Sequence, residues 1–419
     1  MTKQANEHAG ERGDLAGKHI VLGLSGGIAC YKAAELCRAL TREGASVQVV
    51  MTDAAMHFIT PVTMQALSGH PVYSSQWDPR VDNNMAHIDA TRGADAIIIA
   101  PCSADFIFKL AHGVCDDLLS TMCLARPRHV PLLVAPAMNV EMWQNPTTQR
   151  NVQQLREDGV AIVGPAAGEQ ACGETGLGRM LEPQQLLVEL VAAFQPKVLA
   201  GRRILVTAGP TFEAIDPVRG ITNLSSGKMG YAVARAAREA GADVLLISGP
   251  TALETPFGVH RIDVQSAQQM HDAVLRAVDG QHVFISVAAV ADWKVANAST
   301  QKMKKKGDGK APELKFEQNP DILATVAART NLSGHPYCVG FAAESENLLE
   351  YGAAKRERKG IPLLVGNIGH NTFGQDDNTI ILFDENGHTI LPRADKLTLA
   401  RQLISEISKR ISQHSLFAK

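Results

Sequence analysis

Short apolar runs alternate with amphipathic stretches along the first half of the chain. The runs are rich in valine, isoleucine and leucine without polar alternation, which is typical of strands buried on both faces of a parallel sheet. Strands are therefore predicted at residues 47–51, 96–100, 131–135 and 160–163. Apolar residues recur at helical spacing in 31–42 and 149–157, and a glutamine- and leucine-rich helix at 183–194 closes the unit. The pattern predicts a doubly wound α/β domain.

The second half repeats this alternation. Its predicted strands lie at residues 204–207, 243–248, 283–287, 337–341 and 362–365. A capping box at 266–269 predicts the start of a helix. Two strand-like runs around Asn386-Gly387 predict a β-hairpin, and a last amphipathic helix is predicted at 394–411. Both halves are thus predicted to be Rossmann-like, doubly wound α/β domains, and the second also carries the hairpin.

Each half begins with the same kind of turn. Basic residues, an apolar run and a glycine-bearing turn occur in KHIVLGLSGGIA (residues 18–29) and again in RRILVTAGP (202–210). Such a turn directs backbone N–H groups and a helix N-terminus at a phosphate. Two such turns, one domain-length apart, predict two phosphate-binding sites in one chain. The alternative is one large sheet with two glycine turns that have only a structural role. The predicted domains are 18–195 and 202–419, joined by a linker at 196–201.

Composition narrows the class of protein. The 419 residues are 45% hydrophobic and 20% charged with a net charge of −2, so no global charge favours nucleic acid or anionic membrane. No apolar run approaches the roughly 20 residues of a membrane helix. Residues 1–17 lack an apolar signal core and are predicted to be a disordered extension. Seven cysteines without a CxxC pair favour a reducing, cytoplasmic compartment over disulfides or structural zinc.

Polar residues of the first half collect after its predicted strands, where open α/β sheets bind ligands. The first turn matches neither GxGxxG nor GxxxxGK[ST], but Ser25 and the paired glycines suit one phosphate. Further clusters are Thr52, PCSAD (101–105), PAMNVEMW (136–143) and ACGETGLGRM (171–180). A binding cleft is therefore expected along this edge.

Three residues of the first half suit catalysis. His87, in MAHIDA, is the natural general base because an unperturbed histidine pKa is about 6.5. Cys172 lies in a glycine-rich loop where a thiol is able to reach a substrate, and the amide of Asn139 is expected to point into the cleft. The alternatives are a surface or packing histidine and a small buried cysteine.

The segments PCSADF, PAMNVEMW and GEQACGETGLGRM together resemble the flavin-dependent cysteine decarboxylases of coenzyme A biosynthesis. The resemblance implies the fold of these decarboxylases. It also implies phosphopantothenoylcysteine decarboxylase activity with FMN as the cofactor. It implies that His87 is the base, that Asn139 holds the substrate carboxylate and that Cys172 protonates the reduced intermediate. Cys102 departs from the more usual alanine, a change expected to affect packing. The implied FMN contacts are Ser25, Gly26, Gly27, Ile28, Ala29, Thr52, Ser103, Ala104 and Asp105.

The implied chemistry is physically sensible. An α-carboxylate leaves as CO2 only if the electron pair has an acceptor, and no side chain here supplies one. In such enzymes flavin oxidises the cysteine thiol to a thioaldehyde, which accepts the pair, and the reduced flavin then returns the hydride. The cofactor carries the chemistry while the protein positions and protonates.

Two segments of the second half suggest phosphate binding. ITNLSSGKMG is no Walker A loop, because Gly220 lies too far before Gly227-Lys228 and Met229 replaces the magnesium-binding Ser or Thr. It is equally compatible with a structural turn. QKMKKKGDGK (301–310) places five lysines in one stretch. That stretch is either a solvated loop or a flap over a polyphosphate, and it is too short and poor in aromatics for nucleic acid.

The second half also contains, in chain order, the segments VAAVADW, the lysine flap, NPDI and FAAES. Through these segments it resembles phosphopantothenate–cysteine ligase of the bacterial CTP-using type. The resemblance implies that phosphopantothenate attacks CTP to give an acyl-cytidylate and pyrophosphate, after which cysteine displaces CMP. It implies that Asn223 binds the acyl-cytidylate and that Lys302 assists its formation. Mg²⁺ is expected on the triphosphate. No metal ligands are identifiable, and Asp292 and Asp321 are compatible either with a place around the ligands of the metal or with plain helix caps. The residues implied around the nucleotide are Asp292, Lys302, Asn319, Pro320, Asp321, Ile322, Phe341, Lys355 and Lys359.

The two resemblances support each other, because the ligase product is the decarboxylase substrate. The chain is therefore predicted to make phosphopantetheine from phosphopantothenate, cysteine and CTP, with no nucleic-acid or membrane partner. Family analogy implies decarboxylase trimers and ligase dimers. One rival is a nicotinamide-dependent oxidoreductase, whose dehydrogenase fingerprint neither turn supplies. Another is a flavin-binding regulatory module, which predicts no need for Cys172 and no competent second domain.

Overall fold

A computed structural model describes residues 13–77, 91–171, 173–304, 313–344, 348–368 and 377–413. The predicted site residues His87 and Cys172 lie outside the described residues, as do 305–310 of the lysine flap. The chain folds into two compact units that divide between Phe194 and Gln195.

The first unit alternates strands and helices as its hydrophobic pattern predicts. Its strands are β1 (His19–Leu24), β2 (Ser46–Met51), β3 (Ala96–Cys102), β4 (Leu132–Pro136), β5 (Ala161–Ile162), β6 (Ala166–Glu169) and β7 (Thr175–Arg179). Its described helices are α1 (Cys30–Arg42), α2 (Asp53–Met56), α3 (Pro61–Ser68), α4 (Ala104–His112), α5 (Leu118–Ala125), α6 (Val140–Gln144), α7 (Pro146–Glu157) and α8 (Pro183–Ala193).

Five of these strands form a parallel sheet in the order β2-β1-β3-β4-β5. The strand order reverses at β1, so the carboxyl ends of β1 and β3 open a crevice where α/β sheets bind ligands. Buried Ile97 and Ile99 of β3 pack with residues of α4, α5 and α7. Strands β6 and β7 form a separate antiparallel hairpin. The prediction of a doubly wound first domain is confirmed.

Some boundaries in the first unit differ from the prediction. Residues 13–17 were expected to be disordered, but Leu15 is fully buried and its N–H donates to Glu43 O at 3.3 Å. Helix α7 begins three residues early, because Asn145 caps it and Pro146 is its first residue. Strand β5 keeps only two residues of the predicted 160–163.

The second unit contains a larger sheet. Its strands are β8 (Arg203–Ala208), β9 (Phe212–Ala214), β10 (Gly220–Thr222), β11 (Asp243–Ser248), β12 (His260–Asp263), β13 (Val283–Ser286), β14 (Trp293–Val295), β15 (Phe316–Gln318), β16 (Tyr337–Glu344), β17 (Leu363–Ile368), β18 (Asp377–Asp384) and β19 (Gly387–Asp395). Its described helices are α9 (Lys228–Glu239), α10 (Ala267–Ala277), α11 (Ile322–Ser333), α12 (Leu348–Lys359) and α13 (Lys396–Gln413).

Eight strands follow the order β12-β11-β8-β13-β16-β17-β18-β19, and the first six run parallel. Neighbouring residues of β8 face opposite sides of this sheet. Leu205 packs in the cluster that contains α10 and α11 residues, whereas Val206 packs with residues of α9 and α13. Helices therefore cover both faces, which confirms the second doubly wound domain. Among the described residues, no helix combines the length and apolarity needed to cross a bilayer.

The predicted hairpin is present with a shifted turn. Asp384 pairs with Gly387, so Glu385 and Asn386 form the turn and Gly387 begins β19 with φ 121°. The last helix begins at Lys396, not at 394, because β19 continues through Ala394 and Asp395 against β18.

The predicted linker at 196–201 packs on the second unit. Leu199 is 1% exposed within that unit's core, and its N–H donates to Ala240 O at 2.9 Å.

Candidate active sites

Ser25 fastens two turns at the carboxyl edge of the first sheet. Its hydroxyl donates to Pro101 O at 2.9 Å and accepts the Ser103 N–H at 2.8 Å. The side chain is buried, so its hydrogen-bonding capacity is used within the protein. We conclude that any phosphate at this turn contacts backbone N–H groups more than the Ser25 hydroxyl.

Helices begin directly after these strands, and most have a capping side chain. Thr52 Oγ1 accepts the Ala55 N–H and Ser103 Oγ accepts the Phe106 N–H, each at 3.2 Å. Helix α1 differs, because its N-cap residue, Ala29, has no side chain to cap it. The Cys30 and Lys32 N–H groups already donate to Gly27 O at 3.1 Å and Ala29 O at 3.0 Å, so this 13-residue helix favours an anionic ligand mainly through its dipole.

The turn before α1 requires a glycine. A Cβ on Gly26 would lie 2.6 Å from Ala54 Cβ, which is closer than real side chains approach. By contrast, a Cβ on Gly27 would meet no described residue within 4 Å. The close approach of Gly26 to α2 sets the width of the crevice between the turn and Thr52.

A cavity of about 720 Å³ opens beside this turn. Five predicted FMN contacts line it, namely Ser25, Gly26, Thr52, Ser103 and Asp105. Phe58 and Trp77, which also line it, expose 52% and 76% of their surface. Its volume lies within the range of about 300–1,000 Å³ that is usual for cofactor pockets.

One wall of this cavity carries an ionic cluster that the sequence analysis missed. Lys109 Nζ lies 2.9 Å from Asp116 Oδ1, 3.1 Å from Asp117 Oδ2 and 3.7 Å from Asp105 Oδ2. Burial lowers the pKa of Lys109. Hydrogen bonds to Asp116 and Asp117 act in the opposite direction and together outweigh burial, so the pKa is raised overall. The ammonium group is therefore charged at neutral pH. In the sequence, the only indication of this cluster is the acidic pair Asp116-Asp117, which follows the helix-ending Gly113.

A second cavity, of about 610 Å³, lies between α1 and the β6–β7 hairpin. The predicted residues Gly27, Ile28, Ala29 and Asn139 line it, whereas Ala104 lines neither cavity. Asn139 Oδ1 caps α6 by accepting the Met142 N–H at 2.9 Å. Its Nδ2 donates to Glu174 Oε2 at 2.9 Å, so the amide already faces a carboxylate.

Lys32 also lines this second cavity and was missed by the sequence analysis. It is 5% exposed, and its Nζ donates to Met180 O at 3.2 Å and to Glu182 Oε1 at 2.7 Å. The buried ammonium group ties α1 to the segment that follows β7. In the sequence, the only indication of this buried ion pair is a lysine within the apolar face of the helix.

Cys102 is fully buried, and burial raises the pKa of its thiol well above the usual value. It packs with Cys123 and Phe106 in the core of the first unit. The residue thus acts in packing, as expected for this departure from the family pattern.

The second unit has a cavity of about 220 Å³ at the carboxyl edge of its sheet. Phe341 and Lys355, two of the predicted nucleotide contacts, line it together with Lys228 and Lys396, which were not predicted. Lys228 is the first residue of α9, after Gly227 with φ 79°. Three ammonium groups and a helix N-terminus make this cavity strongly favourable for anions.

Asn223 lies at the edge of this cavity. Its Nδ2 donates to Ala289 O at 2.9 Å, and Ala289 is a lining residue. Lys302 is exposed at the start of the lysine-rich stretch. The described residues contain no group of three or more His, Cys, Asp or Glu side chains arranged for a metal ion.

The remaining predicted nucleotide contacts do not line this cavity. Asp321 caps α11 by accepting the Ala324 N–H at 3.0 Å, and it pairs with Lys359 Nζ. Burial raises the pKa of Asp321. The hydrogen bonds from Lys359 and Ala324 act in the opposite direction and together outweigh burial, so the pKa is lowered overall. The residues that share this second location are Asp292, Asn319, Pro320, Asp321, Ile322 and Lys359.

Asn319 holds this location together. Its Nδ2 donates to Ala291 O at 2.8 Å and its N–H to Asp292 O at 2.9 Å. Its Oδ1 is buried and has no hydrogen-bond partner among the described residues.

Comparisons with known proteins identify the family. A profile described as Flavoprotein matches residues 8–195, and one described as DNA/pantothenate metabolism flavoprotein C-terminal domain matches 199–411. The coenzyme A biosynthesis bifunctional protein CoaBC of Vibrio cholerae is 48% identical over 400 residues, which cover 95% of this chain and 99% of that protein. The Escherichia coli K12 protein of the same name is 47% identical over 405 residues, 95% of this chain and 98% of its own. The chain belongs to the bifunctional CoaBC family. This confirms the family named from the motifs and the classification of the chain as a bifunctional enzyme.

Solved structures similar to each part of the chain carry related names. The C-terminal domain of a CoaBC protein is 36% identical with a TM-score of 0.44, and the match covers 52% of this chain and all (100%) of that one. A PPC decarboxylase mutant complexed with pantothenoylaminoethenethiol is 35% identical with a TM-score of 0.37, covering 41% of this chain and 97% of that one.

Proposed function

We propose that the second unit joins phosphopantothenate to cysteine at the expense of CTP. The first unit then decarboxylates the product to phosphopantetheine with the help of FMN. The observation that carries the proposal is the Asn139 amide, which faces a carboxylate in a cavity that borders the uncapped start of α1. The amide suits the carboxylate of the substrate, and the neighbouring helix start suits the phosphate of the cofactor.

The residues of the first unit fit FMN. The uncapped amino end of α1 suits its phosphate, and the 720 Å³ cavity has the size and exposed aromatic side chains for a planar ring. Bound flavin would supply the reversible two-electron acceptor that thiol oxidation requires. Ser25 would hold the two turns at a fixed separation, and Gly26 would allow the close approach of the turn to α2.

The chain's own residues would bind the substrate and move protons. Asn139 Nδ2 would donate to the substrate carboxylate before CO2 leaves, in the place that Glu174 takes in the structure. His87 as the base and Cys172 as the proton donor remain predictions from the motifs. The net reaction is redox-neutral, because the oxidised thiol is restored to a thiol after CO2 has departed.

In the second unit, the lysine-lined cavity would hold the triphosphate of CTP with Mg²⁺ bound to its oxygens. A carboxylate oxygen of phosphopantothenate attacks the α-phosphorus, a new P–O bond forms and pyrophosphate leaves. The Lys302 ammonium group would stabilise the charge that develops in this step. Asn223 would bind the acyl-cytidylate until the cysteine amine displaces CMP and loses a proton.

Compartment and assembly belong to the same proposal. All six described cysteines are free thiols, which supports a reducing cytoplasm. Ile28 and Tyr31, beside the second cavity, expose 64% and 60% of their surface, which supports a covering subunit in a decarboxylase trimer. Ligase dimers follow from the family resemblance. Sedimentation velocity tests the assembly: a particle larger than a dimer is expected, and a monomer would contradict it.

The experiment for the proposed function is a spectrum combined with an assay. Purified protein is expected to be yellow, with the visible absorbance of oxidised flavin. With phosphopantothenate, cysteine, CTP and Mg²⁺ it is expected to form phosphopantetheine, detected by mass spectrometry. Colourless protein that takes up no FMN and consumes no CTP would refute the proposal.

A further inference from the structure

The segment that carries Lys302 is held at its base by the loop between β9 and β10. Hydrogen bonds join the two on both sides of this lysine. They are Ser299 N–H to Ile215 O at 2.9 Å, Met303 N–H to Asp216 Oδ2 at 3.1 Å, and Arg219 Nη2 to Met303 O at 3.2 Å. The backbone on either side of Lys302 is therefore attached to one loop.

Asp216 is the centre of this attachment. Its side chain is 0% exposed, and Oδ1 accepts the N–H groups of Val218 and Arg219 at 2.9 Å each. Its Oδ2 accepts Arg219 Nε at 3.0 Å besides the Met303 N–H. The bonds from Arg219 lower the pKa of Asp216, so the carboxylate is ionised at neutral pH. A buried charge with every bond satisfied is costly to displace, which makes this a rigid anchor.

The same loop leads to the other predicted ligase residue. Strand β10 begins directly after Arg219 and is followed by Asn223. Ile215 N–H donates to Arg219 O at 2.8 Å and closes the loop, while Thr222 Oγ1 donates to Thr211 O at 2.8 Å. One loop thus connects the segments of Asn223 and Lys302, although the two residues are far apart in the sequence.

We propose that Asp216 is a positioning residue that acts through Lys302. By fixing the Met303 N–H, it sets the backbone from which the preceding ammonium group reaches the reacting phosphate. Asp216 itself contacts neither substrate nor nucleotide. The inference rests on the proposed role of Lys302 in acyl-cytidylate formation, and its test separates the two.

The test is Asp216→Asn in the full-length chain. An asparagine keeps the shape, but in the orientation that keeps Oδ1 in place its amide nitrogen cannot accept the Met303 N–H. Pyrophosphate release from labelled CTP and phosphopantothenate, without cysteine, measures the first half-reaction. We expect its kcat to fall about 10- to 100-fold, because small displacements of a catalytic group have effects of this size. The KM for CTP is expected to stay within about threefold, since binding contacts are retained.

Asp384→Asn is the matched control. Asp384 also pairs with an arginine, Arg410, through bonds of 3.0 and 2.8 Å, but at the opposite edge of the sheet, where β18 ends. For this variant, the kinetics of the first half-reaction are expected to equal those of the wild type. An equal loss in both variants would assign the effect to the general stability of the unit and overturn the inference.

A double-mutant cycle with Lys302→Ala tests whether Asp216 acts through the lysine. If it does, adding Asp216→Asn to Lys302→Ala lowers kcat less than about twofold further, because the interaction is already lost. Independent losses that multiply would overturn the inference. A wild-type rate for Lys302→Ala would refute the proposed role of Lys302 itself. A large loss for Lys302→Ala with none for Asp216→Asn would refute only the inference.

Circular dichroism verifies that the variants are folded, and CO2 release from supplied phosphopantothenoylcysteine verifies that the first unit is unaffected. If Asp216→Asn does not accumulate as folded protein, Met303→Pro removes the N–H that Asp216 accepts and leaves the carboxylate intact. The same loss of kcat is then expected, and wild-type kcat in Met303→Pro would overturn the inference.

Discussion

Single polar side chains at the carboxyl ends of the strands have two tasks. Thr52, Ser103 and Asn139 each cap a helix, which contributes about 1 kcal/mol per cap. They also line the cavities of the first unit. The sequence indicates such positions well, because a polar residue after a buried strand points to the open edge of the sheet. It does not indicate the buried partners of Ser25, which lie far away in the chain.

Asn139→Asp separates the two tasks of this residue. Aspartate keeps an oxygen for the cap but replaces the donor with a negative charge that repels the substrate carboxylate. CO2 release is expected to fall at least about 100-fold, equivalent to about 2.7 kcal/mol. Unfolding by urea is expected to change by less than about 1 kcal/mol. Asn145→Asp, at the cap of α7, is the control with normal CO2 release. Equal CO2 release by both variants would remove Asn139 from the substrate site.

Asn223→Asp tests the ligase at the same scale. The aspartate cannot donate to Ala289 O, and its charge opposes the anionic acyl-cytidylate. Ligation is expected to drop at least about 100-fold while decarboxylation of supplied substrate is retained. Chromatography of labelled cytidine products measures both half-reactions. Wild-type ligation by this variant would discard the assignment.

Whole elements followed the hydrophobic pattern closely, and their ends did not. The strand at 243–248 is confirmed at both ends; Gly249 follows it directly and Gly241 lies two residues before it. The last helix begins two residues late, since Ala394 and Asp395 pair with β18 through contacts that local spacing cannot reveal. Leu15 is buried although its polar neighbours suggested disorder. Tertiary pairing, absent from a local pattern, decided these ends.

Gly26→Ala tests the close approach of the first turn to α2. The added Cβ would lie 2.6 Å from Ala54 Cβ, so the turn must shift and the phosphate cradle with it. FMN affinity, measured by fluorescence titration, is expected to fall at least about tenfold. Ala54→Gly in the same chain removes the opposing Cβ and is expected to restore most of the affinity. Full affinity for Gly26→Ala alone would show that the approach is unnecessary.

The ion pair between α11 and α12 predicts a pH dependence of stability. The folded-state pKa of Asp321 is lowered, so the pair stabilises the protein above the unfolded pKa of about 3.9 and ceases to do so as the pH falls through the folded pKa. Asp321→Asn is therefore expected to be less stable than wild type at pH 7. The difference in urea midpoint should shrink as the pH falls below about 4. A difference independent of pH would contradict the ionic contribution.

At the scale of the whole molecule, the sequence predicted two α/β units because each begins with its own glycine turn, and the structure contains both. Motif order then indicated the family, which the comparisons confirm, and it supplied the site residues that the experiments above test. It could not reveal that Lys228, Lys355 and Lys396 share one cavity, since they lie on three helices distant in the chain. It also missed Lys109 and Lys32, whose partners are set by the packing of the first sheet.

The central claim is that one chain first consumes CTP and then releases CO2 from the compound it has built. The most direct test follows CMP from labelled CTP and CO2 from carboxyl-labelled cysteine in one reaction with phosphopantothenate and Mg²⁺. Equal amounts of CMP and CO2 are expected, with CO2 lagging behind CMP. In Asn223→Asp both should vanish, and supplied phosphopantothenoylcysteine should restore the CO2 alone. CO2 release that persists without CTP, or CMP formation never followed by CO2, would contradict the account.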